Sequence, residues 1–271
     1  MTDVCLALPF DRPGSRQVRL LQEAARLGRV QVLLWSDRAV RTLTGREPAL
    51  PEAERRYFLE AIRHVAQVTL AEAPAAPGDL PEVPGPRPDL WVSDAREDLG
   101  ALAAACAARS VPCRVFDQAG LDGFPPDPPE PGTPGRRKVL VTGSFDWLHS
   151  GHVRFFEEVA GHGELYVVVG HDRNIRLLKG EGHPQFPAAE RRFLVGALRF
   201  VQQALVSTGD GWLDAEPEIR RLRPDAYAVN EDGDRPEKRE YCRQHGIDYL
   251  VLKRTPKAGL DARSSTQLRG F

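Results

Sequence analysis

The chain has 271 residues, enough for two domains of ordinary size, and 41% hydrophobic with 28% charged residues is the balance of a globular protein. A formal net charge of −1, from 37 Lys+Arg against 38 Asp+Glu, excludes a globally basic surface for nucleic acid or anionic membrane. No run of apolar residues approaches the roughly 20 that a membrane-spanning helix needs.

The opening MTDVCLALPFDRPG has no basic region, and its apolar stretch is too short for a signal peptide. Cys5, Cys106, Cys113 and Cys242 form neither a CxxC pair nor a Cys/His cluster, so a cytoplasmic chain with reduced thiols is expected. The Pro-rich patch 74–88 reads as a surface loop. Residues 122–135, DGFPPDPPEPGTPG, favour extended polyproline-like backbone. They predict a linker over 122–136 between a domain at 1–121 and another at 137–271. In the second half, KVLVTG (138–143) predicts a buried strand ending at glycine, and GHVRFFEEVA (151–160) has helical spacing. A strand at 164–170, an amphipathic helix at 188–200, a strand at 225–230, a helix at 236–246 and a strand at 248–253 follow. Alternating strands and helices imply an α/β fold with a parallel sheet covered on both faces. Ligands then bind beyond the carboxyl ends of the strands.

The chain is written twice. Val4–Gly45 laid under Val139–Gly180, at a constant shift of 135, places Phe10-Asp11 on Phe145-Asp146 and Asp37-Arg38 on Asp172-Arg173. After one inserted residue the shift is 136: Ala53-Glu54-Arg55-Arg56 falls on Ala189-Glu190-Arg191-Arg192, Arg87-Pro88-Asp89 on Arg223-Pro224-Asp225, and Cys106 on Cys242. A shared hydrophobic rhythm would match apolar positions, not these polar and aromatic pairs in one register. Tandem duplication therefore predicts one fold in both halves.

Gly143-Ser144-Phe145-Asp146-Trp147-Leu148-His149-Ser150-Gly151-His152 leaves a strand, turns and opens a helix. That setting aims backbone N–H groups and the positive end of a helix dipole at one point, as a phosphate requires. His149 and His152 can reach the same phosphate, and Gly151 between them leaves room for a ligand. Taken singly, Lys179 reads as a surface lysine, Ser264-Ser265-Thr266 as a helix cap, and Arg191-Arg192 as salt-bridging residues. His171 and His183 flank the expected pocket as further substrate-binding candidates.

On these residues the second half resembles the HxGH nucleotidyltransferases, a superfamily of cytidylyltransferases and adenylyltransferases with a Rossmann-like fold, over about 138–271. The resemblance implies two Rossmann-like nucleotidyltransferase domains, each a parallel sheet flanked by helices. It identifies Gly143, Ser144, Phe145 and Asp146 with the first nucleotide-binding block, and His149 and His152 with the catalytic pair. Lys179 corresponds to the phosphate-binding lysine and Arg191 to the arginine of the central helix. Asn230 and Asp232 correspond to the strand-end nucleotide contact, with Asn where the family often has Gly. Arg254-Thr255 is like the cytidylyltransferases. Ser264, Ser265, Thr266 and Arg269 belong to a closing S-S-T-x-[IL]-R that is more like the adenylyltransferases, expected to open a short last helix around the β- and γ-phosphates.

The implied reaction moves CMP or AMP from CTP or ATP to a small phosphorylated acceptor, such as a glycerol, amino-alcohol or sugar phosphate, and releases pyrophosphate. Mg²⁺ would be held mainly by phosphates and water, so no protein metal ligand is assigned. A non-catalytic nucleotide-binding regulator and a carboxylate-activating ligase are the alternatives. In the first half, Gly14-Ser15-Arg16-Gln17 stands where His149-Ser150-Gly151-His152 stands in the second, and Thr44 stands for Lys179. The first domain is therefore expected to keep the fold without the catalysis, as a regulatory site or as a stand-in for the partner of a dimer in a monomeric chain.

Overall fold

The computed structural model describes residues 1–74, 79–97, 99–126 and 132–264. The chain separates into two compact units, Met1–Gly123 and Phe124–Gly270.

The first unit runs β1 (Asp3–Leu8), α1 (Ser15–Ala25), β2 (Arg29–Trp35), α2 (Asp37–Thr44), α3 (Glu52–Ala61), β3 (Gln67–Ala71), β4 (Leu90–Asp94), α4 (Leu99–Ala108) and β5 (Cys113–Phe116). The second runs β6 (Lys138–Gly143), α5 (Ser150–Ala160), β7 (Glu164–Val169), α6 (Asp172–Lys179), α7 (Ala188–Gly196), β8 (Val201–Val206), α8 (Glu216–Leu222), β9 (Ala226–Asn230), α9 (Pro236–His245) and β10 (Asp248–Leu252). The sheets are ordered β3-β2-β1-β4-β5 and β8-β7-β6-β9-β10, with every pairing parallel. Each is a Rossmann-like half with the first strand at its centre.

The duplication extends to hydrogen-bond register. Val4 opposes Val30 as Val139 opposes Leu165, and Val4 opposes Leu90 as Val139 opposes Ala226. Gln31 opposes Gln67 as Tyr166 opposes Gln203, and Trp91 opposes Cys113 as Tyr227 opposes Tyr249. Every pair obeys the 135 and 136 shifts of the sequence. A one-residue slip would turn each strand's apolar side chains to the wrong face, so burial on both faces fixes the register. The cores match too: Cys5, Leu33, Trp91 and Cys106 in the first unit, Leu140, Val168, Tyr227 and Cys242 in the second.

The structure departs from the sequence reading in places. The helix expected over 188–200 ends at Gly196, because residues 197–200 turn the chain into β8. Neither the two-turn α6 nor β8 was expected. α6 is too short to show a period, and the adjacent glutamines of VQQALV put a polar residue where alternation needs an apolar one. The segment expected as a linker is anchored to the second unit on both sides. Phe124 packs on Phe193 with ring centres 6.1 Å apart, and the Thr133 amide donates to Glu164. Among the described residues no helix is long and apolar enough to cross a membrane.

Candidate active site

β6 delivers the chain to Gly143, where a Cβ would stand 2.8 Å from the Phe145 ring. Phe145 then adopts φ +48°, a left-handed conformation costly for a bulky side chain. Its counterpart Phe10 has φ +47°. The following carboxylates are equally alike. Asp146 accepts the amides of Gln185 and Phe186, and Asp11 accepts those of Ala49 and Leu50. The turn and its aspartate therefore belong to the scaffold, since they persist where the histidines are gone.

The same comparison corrects the expectation for Arg191. Its side chain is 0% exposed. Nε donates to Phe186 O (2.8 Å), Nη1 to Ser144 O (2.5 Å), and Nη2 to Gly170 O and Asp172 (both 2.7 Å). Arg55, also 0% exposed, donates to Leu50 O, Pro9 O, Trp35 O and Asp37, the register counterparts of all four partners. Arg191 is a buried clamp tying α7 to the ends of β6 and β7, with its donors turned onto the protein. Asp146 is corrected likewise: it is buried, spends its oxygens on backbone amides, and does not line the cleft.

His149 is the N-cap of α5, its Nδ1 accepting the Gly151 amide at 3.1 Å. That bond fixes the Nε2–H tautomer. His152 follows in the first turn, the two rings 3.9 Å apart at 30°, and Phe145 meets His152 edge-on at 5.3 Å. A Cβ on residue 151 would lie 2.9 Å from the His149 ring and 3.3 Å from Arg263 O. Gly151 thus makes room for the imidazole packing, and it also lines the cleft in front of the rings. His149 Nε2 and His152 Nδ1 are buried without a hydrogen-bond partner. Burial pushes the His149 imidazole down to about 4, helped by the positive charges of Arg254 and Arg263. Burial also drives His152 well below its ordinary value, reinforced by His149, Arg254 and Lys179 and opposed by the Trp147 carbonyl. Both rings are neutral at pH 7 in a cationic field, which is an arrangement awaiting an anion.

A cleft of about 560 Å³ opens in front of them. It brings together Gly143, Ser144, Phe145, His152, Lys179, Asn230, Asp232, Arg254 and Ser264. His149 lies behind His152, outside the lining. Lys179 Nζ donates to Ser144 Oγ at 2.7 Å, and Arg254 spans Asp232 (2.6 Å) and Arg263 O (3.1 Å). Thr255 lines an adjoining hollow with Asn230, Arg154 and Lys257. Ser265, Thr266 and Arg269 lie outside the described residues, as does the helix expected there. His171 caps α6 through Nδ1 to the Asn174 amide, the role Ser36 fills for α2, and His183 Nδ1 lies 3.5 Å from Asp146, so neither lines the cleft.

Sequence reasoning missed Asn174, Leu178, Trp212, Asp214 and Lys238, all in the cleft wall. The signal was available in the differences between the halves. At the same register Asn174 meets Ala39, Trp212 meets Ala76, Asp214 meets Gly78 and Lys238 meets Leu102.

In the first unit the matching space is bridged internally. Arg16, at the register of Gly151, forks onto both oxygens of Asp94 (2.5 and 2.6 Å) and donates to Gln118 (2.7 Å). Asp94 and Gln118 are the counterparts of Asn230 and Arg254. A bidentate guanidinium–carboxylate pair thus joins the positions that match Gly151 and Asn230.

A family model described as cytidylyltransferase-like matches residues 140–269. The FAD synthase of Thermococcus kodakarensis is 36% identical over 119 residues, covering 43% of this chain and 78% of that enzyme. The FAD synthase of Ferroglobus placidus is 33% identical over 135 residues, covering 49% of this chain and 85% of that enzyme. A solved structure of a Thermoplasma volcanium lipopolysaccharide core biosynthesis protein aligns with 45% of this chain and 99% of its own, at 26% identity and a TM-score of 0.39. This chain belongs to the cytidylyltransferase-like nucleotidyltransferases, the matching unit being residues 140–269.

Proposed function

We propose that the chain makes FAD by moving AMP from ATP to FMN. The observation that carries this is the 36% identity to an FAD synthase over 78% of that enzyme's length. FMN is a small phosphorylated acceptor, but a flavin in place of the sugar, glycerol and amino-alcohol phosphates expected from the sequence. The donor choice, open between CTP and ATP, falls to ATP because FAD is the anhydride of FMN and AMP.

A phosphate oxygen of FMN attacks the α-phosphorus of ATP. One P–O bond forms, the bond to the β-bridging oxygen breaks, and pyrophosphate leaves with the electron pair. A phosphate monoester is largely dianionic at pH 7, so no general base is required. The protein's contribution is position and charge. His152, on the cleft wall, supplies a hydrogen bond to a phosphate oxygen that gains charge, and His149 packs behind it with its Nε2–H unpartnered, a second donor that the phosphate reaches only by entering past the cleft wall. Lys179 and Arg254 face the cleft as neutralising cations, and the N-terminus of α5 adds its dipole. Ser265, Thr266 and Arg269 are assigned to the triphosphate tail. Among the described residues no group of three or more His, Cys, Asp or Glu is placed to hold a metal. Mg²⁺ fits this site as a partner of the triphosphate, neutralising its charge, with Asp214 and Asp232 the carboxylates in the cleft.

The test is product formation by the whole chain from ATP or CTP with FMN, glycerol phosphate or a sugar phosphate, read as pyrophosphate release and FAD by chromatography. FAD from ATP and FMN alone is expected. Turnover confined to CTP, or to a non-flavin acceptor, refutes the assignment.

A further inference from the structure

We propose that Trp212 is a pre-set platform on which the isoalloxazine ring of the acceptor stacks, an inference that rests on the reading of the acceptor as FMN. The cleft has two ends beyond the sheet. Asn230, Asp232 and Arg254, at the ends of β9 and β10, form the one assigned to the nucleoside triphosphate. The other, beyond β7 and β8, is walled by Trp212, Leu178 and Ile175. There Trp212 is 53% exposed and Leu178 55% exposed. Large apolar side chains on a cleft wall leave a flat apolar partner as the ligand that recovers their hydration cost. Between the two ends stand His152 and Lys179, where the acceptor's phosphate must lie.

The indole is open, but its backbone is pinned. His171 caps α6 with Nδ1, so its Nε2–H donates to Gly209 O at 2.8 Å. Asn174, buried, accepts the Gly211 amide at 2.8 Å and donates to Gly211 O at 3.1 Å. Arg173 pairs with Asp210 at 2.6 Å. The Gly209 amide donates to Asp214 O at 2.9 Å. Three residues from the first turn of α6 thus hold the three residues that precede Trp212. An aromatic held this way loses little entropy on binding a ring, the condition for a stacking surface.

The duplication supplies the control. Scaffold pairs occur in both units, whereas Ala39, Pro74, Ala75 and Ala76 stand at the register of Asn174, Asp210, Gly211 and Trp212. In sequence, the first half carries no side chains that could form this brace or indole at those positions, which ties them to the chemistry rather than to the fold.

The experiment is steady-state FAD formation with FMN fluorescence titration, on the whole chain and on Trp212→Ala, Trp212→Phe and Leu177→Ala. Stacking on one aromatic side chain is worth about 1–3 kcal/mol, so Trp212→Ala should raise the KM for FMN by about 5-fold or more. The KM for ATP should move less than about 2-fold, and the quenching of bound FMN should be lost. Trp212→Phe should recover most of the affinity, and Leu177→Ala, exposed and off the cleft, should change nothing. An unchanged KM for FMN in Trp212→Ala overturns the platform while leaving the FAD assignment intact. No FAD from the unmutated chain overturns the assignment, and the platform with it.

Discussion

Arg191 and Arg55 form a matched pair that separates clamp from nucleotide contact, and replacing each by Met is the decisive perturbation. Met keeps much of the apolar volume and removes every donor. In Arg191→Met, the carbonyls of Phe186, Ser144 and Gly170 each lose a charged donor. A hydrogen bond to a charged group contributes about 1.5–3 kcal/mol, so simple addition gives about 4.5–9 kcal/mol. Water entry and the relieved desolvation of the guanidinium reduce this, and breaking one partner of a buried charged network typically costs about 3–5 kcal/mol. We expect a loss of about 4 kcal/mol, which at an m-value near 2 kcal/mol/M lowers the urea midpoint of the affected unit by about 2 M. Two units unfold in a chain like this, so the transitions are followed separately, through ATP protection for the second and by difference for the first. Arg55→Met should shift the first transition by the same amount and leave turnover alone. Below its own midpoint, Arg191→Met should hold ATP within a few-fold of wild type. A tenfold or greater loss of ATP affinity with the second transition unmoved would refute the clamp and restore Arg191 as a nucleotide contact.

His152→Ala should lower kcat by about 10²–10³, the effect of deleting one preorganised donor, while Gln17→Ala at the matching position leaves turnover within 2-fold; rapid-quench assays of both decide it. His149 binds its proton less readily folded (about 4) than unfolded (6.5), so the unfolded chain carries more protons between those values. Its contribution, about 3 kcal/mol at most, is full above pH 6.5 and fades as pH falls toward 4. His149→Asn should flatten the pH slope of the second urea midpoint across that window, and an unaltered slope would contradict the buried neutral imidazole. Calorimetry with ATP should give one site per chain, because Arg16 and Asp94 bridge the first unit's counterpart space; two sites would mean that the pair opens for ligand.

Much of the architecture was legible because the second unit's buried strands are short, β-branched and punctuated by glycine, and because the repeat fixed a register. KVLVTG and DAYAVN announce themselves. α6 did not, since two turns give no period and its exposed Leu177 and Leu178 blur the amphipathic pattern. The histidines stood out as candidates from a motif in its strand–turn–helix setting, and Lys179 only from the resemblance to the family. The roles of Asp146 and Arg191 were not, because a motif records which residues stand together and not which way a side chain faces. Trp212, Asn174 and Asp214 lie on or against a loop without regular structure, where pattern carries nothing. Only subtraction of one half from the other would have raised them.

That subtraction has a physical basis. Losing Arg55 would strand buried carbonyls, and losing Asp11 would strand the amides of Ala49 and Leu50, so folding retains both whether or not the unit reacts. Losing a histidine, a lysine or an indole from the wall of an open cleft costs folding little. His149 even buries an Nε2–H without a partner, a cost that its replacement removes. Once catalysis is no longer required, the cleft residues are therefore free to change and the buried clamps are not. The motif G-x-F-D…H-x-G-H accordingly joins two kinds of residue. Phe145 and Asp146 hold the turn, and His149 and His152 are the pair we propose for the phosphate. A unit keeping Phe-Asp and the central Glu-Arg-Arg while lacking the imidazoles, as residues 1–123 do, should fold to the same register and catalyse nothing. Its Arg16–Asp94 pair fits that reading, since the unit's own ions join the positions that match Gly151 and Asn230.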